Sequence, residues 1–229
     1  MATNPFPSQS RFLAFPPMRR VAVLLVCGAA LVCIGFGVRA SRRPKELPAT
    51  DSKTGLAAVE VVINQVATSD FGRTPRGDQL TRRARELLRS GRIRFTDALG
   101  VDALYQKERI TGGILYIVVE RVPRGFLWPA TDELARRLYH ETLHSVVETR
   151  VASQEEECDG FCAAEEAAAA VENRAPQYPV TRDGERIWEW VQTTYSKLPS
   201  DPTYQPVGYS LAELAARTGI PHALAAKSP

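Results

Sequence analysis

The chain has 229 residues, 44% of them hydrophobic and 24% charged, with a net charge of +3. These are the proportions of a globular protein with room for one domain and one leader or membrane segment. Much of the positive excess lies near residues 11–45, so no concentrated basic face is left for nucleic acid. Cys27 and Cys33 lie in an apolar segment and Cys158 and Cys162 in the polar remainder, which excludes a disulfide framework.

Residues 1–20 contain Pro and Ser and read as a disordered N-terminal tail. Residues 21–38 carry no charge and follow Arg19 and Arg20. As a helix they would span roughly 27 Å, enough to cross a hydrocarbon core. A transmembrane segment or signal anchor is expected there, retained because Arg39 interrupts the small-residue pair Val38 and Ala40. Positive charge flanks both ends: the leader-like arrangement leans towards an extracytoplasmic soluble domain, while the stronger downstream charge cluster favours one inside. Residues 39–54 read as a polar linker and 55–229 as the folded domain.

Within that domain, Leu56 to Val66 has helical spacing, and Asp78 to Ser90 is an amphipathic helix stopped by Gly91. Ile93 and Phe95 alternate with arginines as in a half-buried strand. Ala103 to Ile110 and Ile114 to Val119 predict a hairpin about Thr111-Gly112-Gly113. Pro123 and Gly125 close the second of these strands. Thr131 is the expected N-cap of a helix from about Asp132 to Val147, apolar on more than one face and therefore central. Ser153-Gln154-Glu155-Glu156 is a capping-box pattern that opens a further helix to about Glu172. Arg186 to Leu198 and Leu211 to Arg217 are the last expected helices, separated by a Pro- and Tyr-rich loop. Trp188 and Trp190 read as packing residues.

The central helix carries His140-Glu141-Thr142-Leu143-His144. Residues four apart on a helix share a face, so His140 and His144 can hold one Zn²⁺ while Glu141 acts as general base. Two of the chain's three histidines are spent on this spacing. A catalytic zinc needs a third protein ligand and an open position. The next helix offers Glu155, Glu156, Glu157, Asp159, Glu165 and Glu166. Glu156 is discounted as the capping partner of Ser153. Glu155 is the expected ligand, with Asp159 supporting a histidine ring from behind. The helix lengths leave Glu157, Asp159 and Glu165 open as alternatives: a tight turn near Ala152 favours Asp159 or Glu165, whereas an end soon after Val147 brings Glu155 or Glu157 into reach.

His140-Glu141-x-x-His144 followed by Glu155-x-x-Cys158-Asp159-x-Phe161-x-Ala163-Ala164 resembles the gluzincin metallopeptidases over about residues 103–170. The chain departs from their pattern at Arg137, Thr142 and Cys158 and in its short gap from His144 to Glu155. The resemblance implies an α+β, zincin-like fold, with a small antiparallel sheet packed on a helical set. It also implies a zinc-activated water with Glu141 as base, and a peptide or protein substrate lying along a strand edge. The longer metzincin pattern is excluded, because Val147 and Arg150 stand where it needs Gly and His. Tyr178, Tyr195, Tyr204, Tyr209 and His222 are candidate donors to the oxyanion. Two other readings compete: a structural Cys₂His₂ zinc site of His140, His144, Cys158 and Cys162, and a peptidase-like module that binds a partner without metal.

Overall fold

A computed structural model of the protein describes residues 44–98, 101–107, 112–147, 152–178 and 186–221. The expected tail (1–20) and membrane segment (21–38) lie outside the described residues. Among the described residues, no helix is long and apolar enough to cross a membrane.

The fold is α+β, with seven helices and a small sheet among the described residues. Helices α1 (Ala49–Thr68), α2 (Asp70–Arg73) and α3 (Pro75–Arg89) come first. The chain enters α1 through Leu47, which is buried, and through a bridge from Glu46 to Thr96. Residues 45–54, expected as linker, are therefore part of the folded body; their polar composition hid one buried leucine and a helix start. Helix α3 begins with Thr74 accepting from the Gly77 N–H and with Pro75 at its first position. After α3, Gly91 takes the left-handed conformation at φ 63°, as the sequence requires.

Strands β1 (Ile93–Thr96), β2 (Ala103–Gln106) and β3 (Ile114–Val118) form one sheet in the order β1-β3-β2. The β2–β3 pair is antiparallel, as expected of the hairpin. The β1–β3 pair is parallel, so the sheet is mixed and not purely antiparallel. A parallel pair is set by the crossover path of the chain, which strand periodicity does not encode. Val118 N–H donates to Asp102 O, which turns Leu104 and Gln106 towards β3 and leaves the backbone of Ala103 and Tyr105 on the outer edge of β2. A separate two-stranded hairpin, β4 (Glu120–Val122) with β5 (Gly125–Leu127), turns at Pro123-Arg124. Its strands are too short to show alternation in the sequence.

Helix α4 (Thr131–Val146) carries the histidines and packs against α5 (Gln154–Val171), α3, α1, β2 and β3. Its N-cap is Ala130, without a side-chain bond, and Thr131 is the first helical residue. Nearly all of α5 is buried. The helix lies between two apolar clusters. Ala163 and Ala167 belong to the larger one, with Val59, Leu80, Phe95, Leu115 and Leu138. Cys158 and Cys162 belong to the smaller, with Ile187, Trp188, Val191 and Leu214. The alanine run lets neighbouring helices approach α5 closely on both sides. Helices α6 (Ile187–Thr194) and α7 (Leu211–Thr218) cover the cysteine side. Helix α7 opens with a complete capping box of Ser210 and Glu213 and closes on left-handed Gly219.

Candidate metal centre

His140 and His144 lie one turn apart on α4 with their rings 4.9 Å apart, centre to centre, and their Nε2 atoms 3.1 Å apart. The Glu157 carboxylate completes the group, with Oε2 3.4 Å from His140 Nε2 and Oε1 3.6 Å from His144 Nε2. Donors held about 2.0–2.1 Å from a tetrahedral Zn²⁺ stand roughly 3.3 Å from one another. The observed separations are of similar length, the two to Glu157 made by its two different oxygens, and the three side chains are close enough to share one ion. Among the described residues, this is the only group of three or more His, Cys, Asp or Glu side chains close enough to share an ion.

Which carboxylate joins the two histidines follows from where α4 stops. The helix ends at Val146 and Val147 is extended, so the first turn of α5 lies level with His144. On α5, Glu157, Gly160 and Phe161 share one face, and Glu155, Asp159 and Cys162 share another. The first face meets the histidines. Glu155, the expected ligand, is turned away: its Oε1 accepts from Ser200 Oγ at 2.5 Å and its Oε2 from the Asp201 N–H at 2.7 Å. Asp159, the expected support, is turned away too. It accepts from Tyr204 Oη (2.8 Å) and the Val207 N–H (3.0 Å), and pairs with Arg76 at 2.7 Å. Glu165 is bound to Arg136 and Arg174. Glu157 was an alternative in the sequence and is the residue brought in.

Glu156 takes the supporting role. Its Oε1 stands 2.8 Å from His144 Nδ1, and Ser153 Oγ accepts from its backbone N–H at the helix start. Ser153 caps the helix as expected, but the Glu156 carboxylate goes to His144 instead of closing the capping box. A hydrogen on Nδ1 shared with Glu156 leaves the Nε2 lone pair aimed into the group. Burial alone would lower the His144 pKa; the Glu156 hydrogen bond and the charges of Glu157 and Glu141 outweigh it and raise it. Burial opposes the Glu157 carboxylate, yet its contacts with His140 and the charge of His144 hold its pKa below the ordinary value.

Two features of the site had no signal in the motif. Gly160 lies under the His140 ring, so closely that a Cβ there would come within 2.8 Å of Cε1 and 2.9 Å of Nδ1. Glu141 accepts a 2.6 Å hydrogen bond from the Tyr105 N–H, which ties the expected base to the outer edge of β2.

Cys158 and Cys162 are fully buried in the second apolar cluster, on a different side of α5 from the histidines. Burial pushes both thiols up, away from the thiolate a metal would need. The Cys₂His₂ arrangement is not assembled. Of the oxyanion candidates, Tyr178 donates to Glu166 and Tyr204 to Asp159, while the Tyr209 ring stacks on Arg76 and Arg217. His222 lies outside the described residues. Tyr195 remains. Its ring packs on Phe161 and Trp190. Burial raises its pKa, and the charges of Glu157, Glu141 and Asp102 raise it further.

Compared with protein-family models, with curated proteins and with solved structures, the chain matches none.

Proposed function

We propose that the protein is a zinc-dependent peptidase, zincin-like in fold and tethered to a membrane through residues 21–38. The observation that carries this reading is the convergence of His140, His144 and Glu157 within reach of one ion, beside a glutamate next in sequence to the first histidine. A zinc ion held there would polarise the scissile carbonyl and make a water molecule acidic near neutral pH.

The chain's own residues then have distinct tasks. Glu141 accepts the proton of the attacking water and passes it to the leaving amine. Its bond to the Tyr105 N–H keeps the carboxylate at the strand edge, where an extended peptide would lie. Glu156 fixes the His144 ring. Tyr195 donates its hydroxyl hydrogen to the oxyanion.

Metal analysis and peptide hydrolysis by the purified full chain test this together. The expected result is close to one zinc per chain, lost in His144→Ala and in Glu157→Ala. Glu141→Gln should retain the metal and lose hydrolysis. Equal, negligible metal in the wild type and His144→Ala would end the proposal, and so would unchanged hydrolysis by Glu141→Gln.

A further inference from the structure

Helix α6 sends its two tryptophans to different places. Trp188 and Trp190 are two residues apart, so their side chains leave the helix roughly 200° apart. Trp188 is buried in the second apolar cluster. Trp190 is only half-buried and lies 4.9 Å from Phe161, which in turn lies edge-on to the His140 ring at 4.6 Å. Tyr195, just past the helix, stands 5.7 Å from Trp190 and 6.4 Å from Phe161 and is also half-buried. Three aromatic side chains therefore form a continuous wall that begins at a histidine of the metal group.

The wall and the strand edge meet α4 at neighbouring residues, with Phe161 against His140 and the Tyr105 N–H on Glu141. Ala103 and Tyr105 turn their backbone outward on that edge, and the Tyr105 N–H reaches Glu141. An extended peptide on the edge would place alternate side chains on either side of its own backbone, and one of them would face the rings. The rings offer apolar area to a large uncharged side chain and no hydrogen-bond partner to a charged one.

We propose that Phe161, Trp190 and Tyr195 form a pocket for an aromatic or long aliphatic side chain next to the scissile bond, so that the substrates are peptides with such a residue there. This rests on the peptidase reading above. Phe161 holds the ring stack against His140, Trp190 gives the pocket its area, and Tyr195 extends the wall beside both.

The test uses the zinc-loaded full chain and quenched-fluorescence peptides that differ only at the positions flanking the bond, with Phe, Leu, Gly, Lys or Glu in each. At one flanking position, Phe and Leu should exceed Gly in kcat/KM by about tenfold or more, with Lys and Glu the poorest. Trp190→Ala should collapse the Phe-to-Gly ratio to near unity at unchanged zinc content, and Trp190→Phe should restore most of it. Cleavage without side-chain preference, or a preference that Trp190→Ala leaves intact, would overturn the pocket while leaving the peptidase reading standing. If no peptide is cleaved beyond the rate of Glu141→Gln, the peptidase reading fails. Calorimetric titration of the same peptides into the zinc-loaded protein then decides the pocket. Tighter binding of the Phe peptide, lost in Trp190→Ala, upholds it; equal or absent binding of all the peptides overturns it.

Discussion

At the residue scale, the histidine ring positions are set by neighbours that hold no metal themselves. Gly160 is the sharpest case, because a Cβ there would stand within van der Waals contact of three atoms of the His140 ring. Free of metal, the ring can swing aside; as a ligand it cannot. Gly160→Ala should therefore weaken zinc affinity by about 10–100-fold, the range typical of support groups around metal ligands, measured by competition with a chromophoric chelator. Its thermal stability without metal should change far less, and unaltered affinity would show that His140 is not a ligand. Glu156→Gln should weaken zinc by a similar factor, since the amide no longer fixes His144 in the tautomer that presents Nε2. Thr142 shows the opposite situation. Its hydroxyl is buried beside Glu141 and has no hydrogen-bond partner among the described residues. Thr142→Val keeps the shape and removes the unsatisfied group, and should stabilise the fold by about 1 kcal/mol in urea unfolding.

At the element scale, the rotation of α5 about its axis chooses which carboxylate meets the histidines. Arg76 on α3 and Asp159 on α5 form a buried pair, and Arg76 also meets Glu166 at 2.8 Å and the Asp159 carbonyl at 3.0 Å. Both Asp159 carboxylate oxygens are engaged, one by Arg76 and the other by Tyr204 and Val207. This locks the face of Glu155, Asp159 and Cys162 away from α4 and so turns Glu157 towards it. Asp159→Ala leaves a buried guanidinium short of its partner and should cost about 3–5 kcal/mol, read by denaturant unfolding. Glu155→Ala, by contrast, should release only the segment at Ser200 and Asp201 and keep full zinc stoichiometry. That contrast marks the limit of what the sequence can express. His140 and His144 are legible because their relation is local, four residues on one helix. Glu157 is not, because its place depends on where α4 ends and on a long-range pair with Arg76, ninety residues from Glu166 along the chain. Glu156 was misread as the capping partner of Ser153, since the pattern says nothing of a side chain drawn away to another helix. The longer helices were readable from their periodicity, though α2 and the start of α1 were not. The parallel alignment of β1 with β3, the three-residue strands β4 and β5, and the burial of Leu47 were not, because each is decided by contacts distant in sequence.

At the scale of the whole molecule, α5 couples the metal group to the core. One of its sides closes the larger apolar cluster and another the smaller, while its first turn supplies Glu157. An ion bound only by the folded chain adds RT ln(1 + [metal]/Kd) to stability, about 2.7 kcal/mol at a hundredfold excess over Kd, so chelation should lower the melting temperature of the entire fold in a single transition. The size of that drop should depend on pH with a definite sign. His144 has a raised pKa in the folded, metal-free protein, so protonated His144 stabilises the metal-free fold below its ordinary value of 6.5, and this contribution fades as pH rises through the folded value. Glu157 has a lowered pKa, so its contribution is present above its ordinary value of 4.5 and fades as pH falls through the folded one. The cluster therefore supports the metal-free fold best between these two ordinary values, where a proton on His144 competes with the ion. Raising the pH from that window removes the proton's advantage and leaves the ion's. The gap in melting temperature between zinc-loaded and chelator-treated protein should accordingly widen from about pH 5.5 to pH 8, by differential scanning fluorimetry at fixed free zinc, and should vanish at both pH values in His144→Ala. A gap that stays constant over this range in the wild type would mean that His144 and the ion do not compete for the same nitrogen.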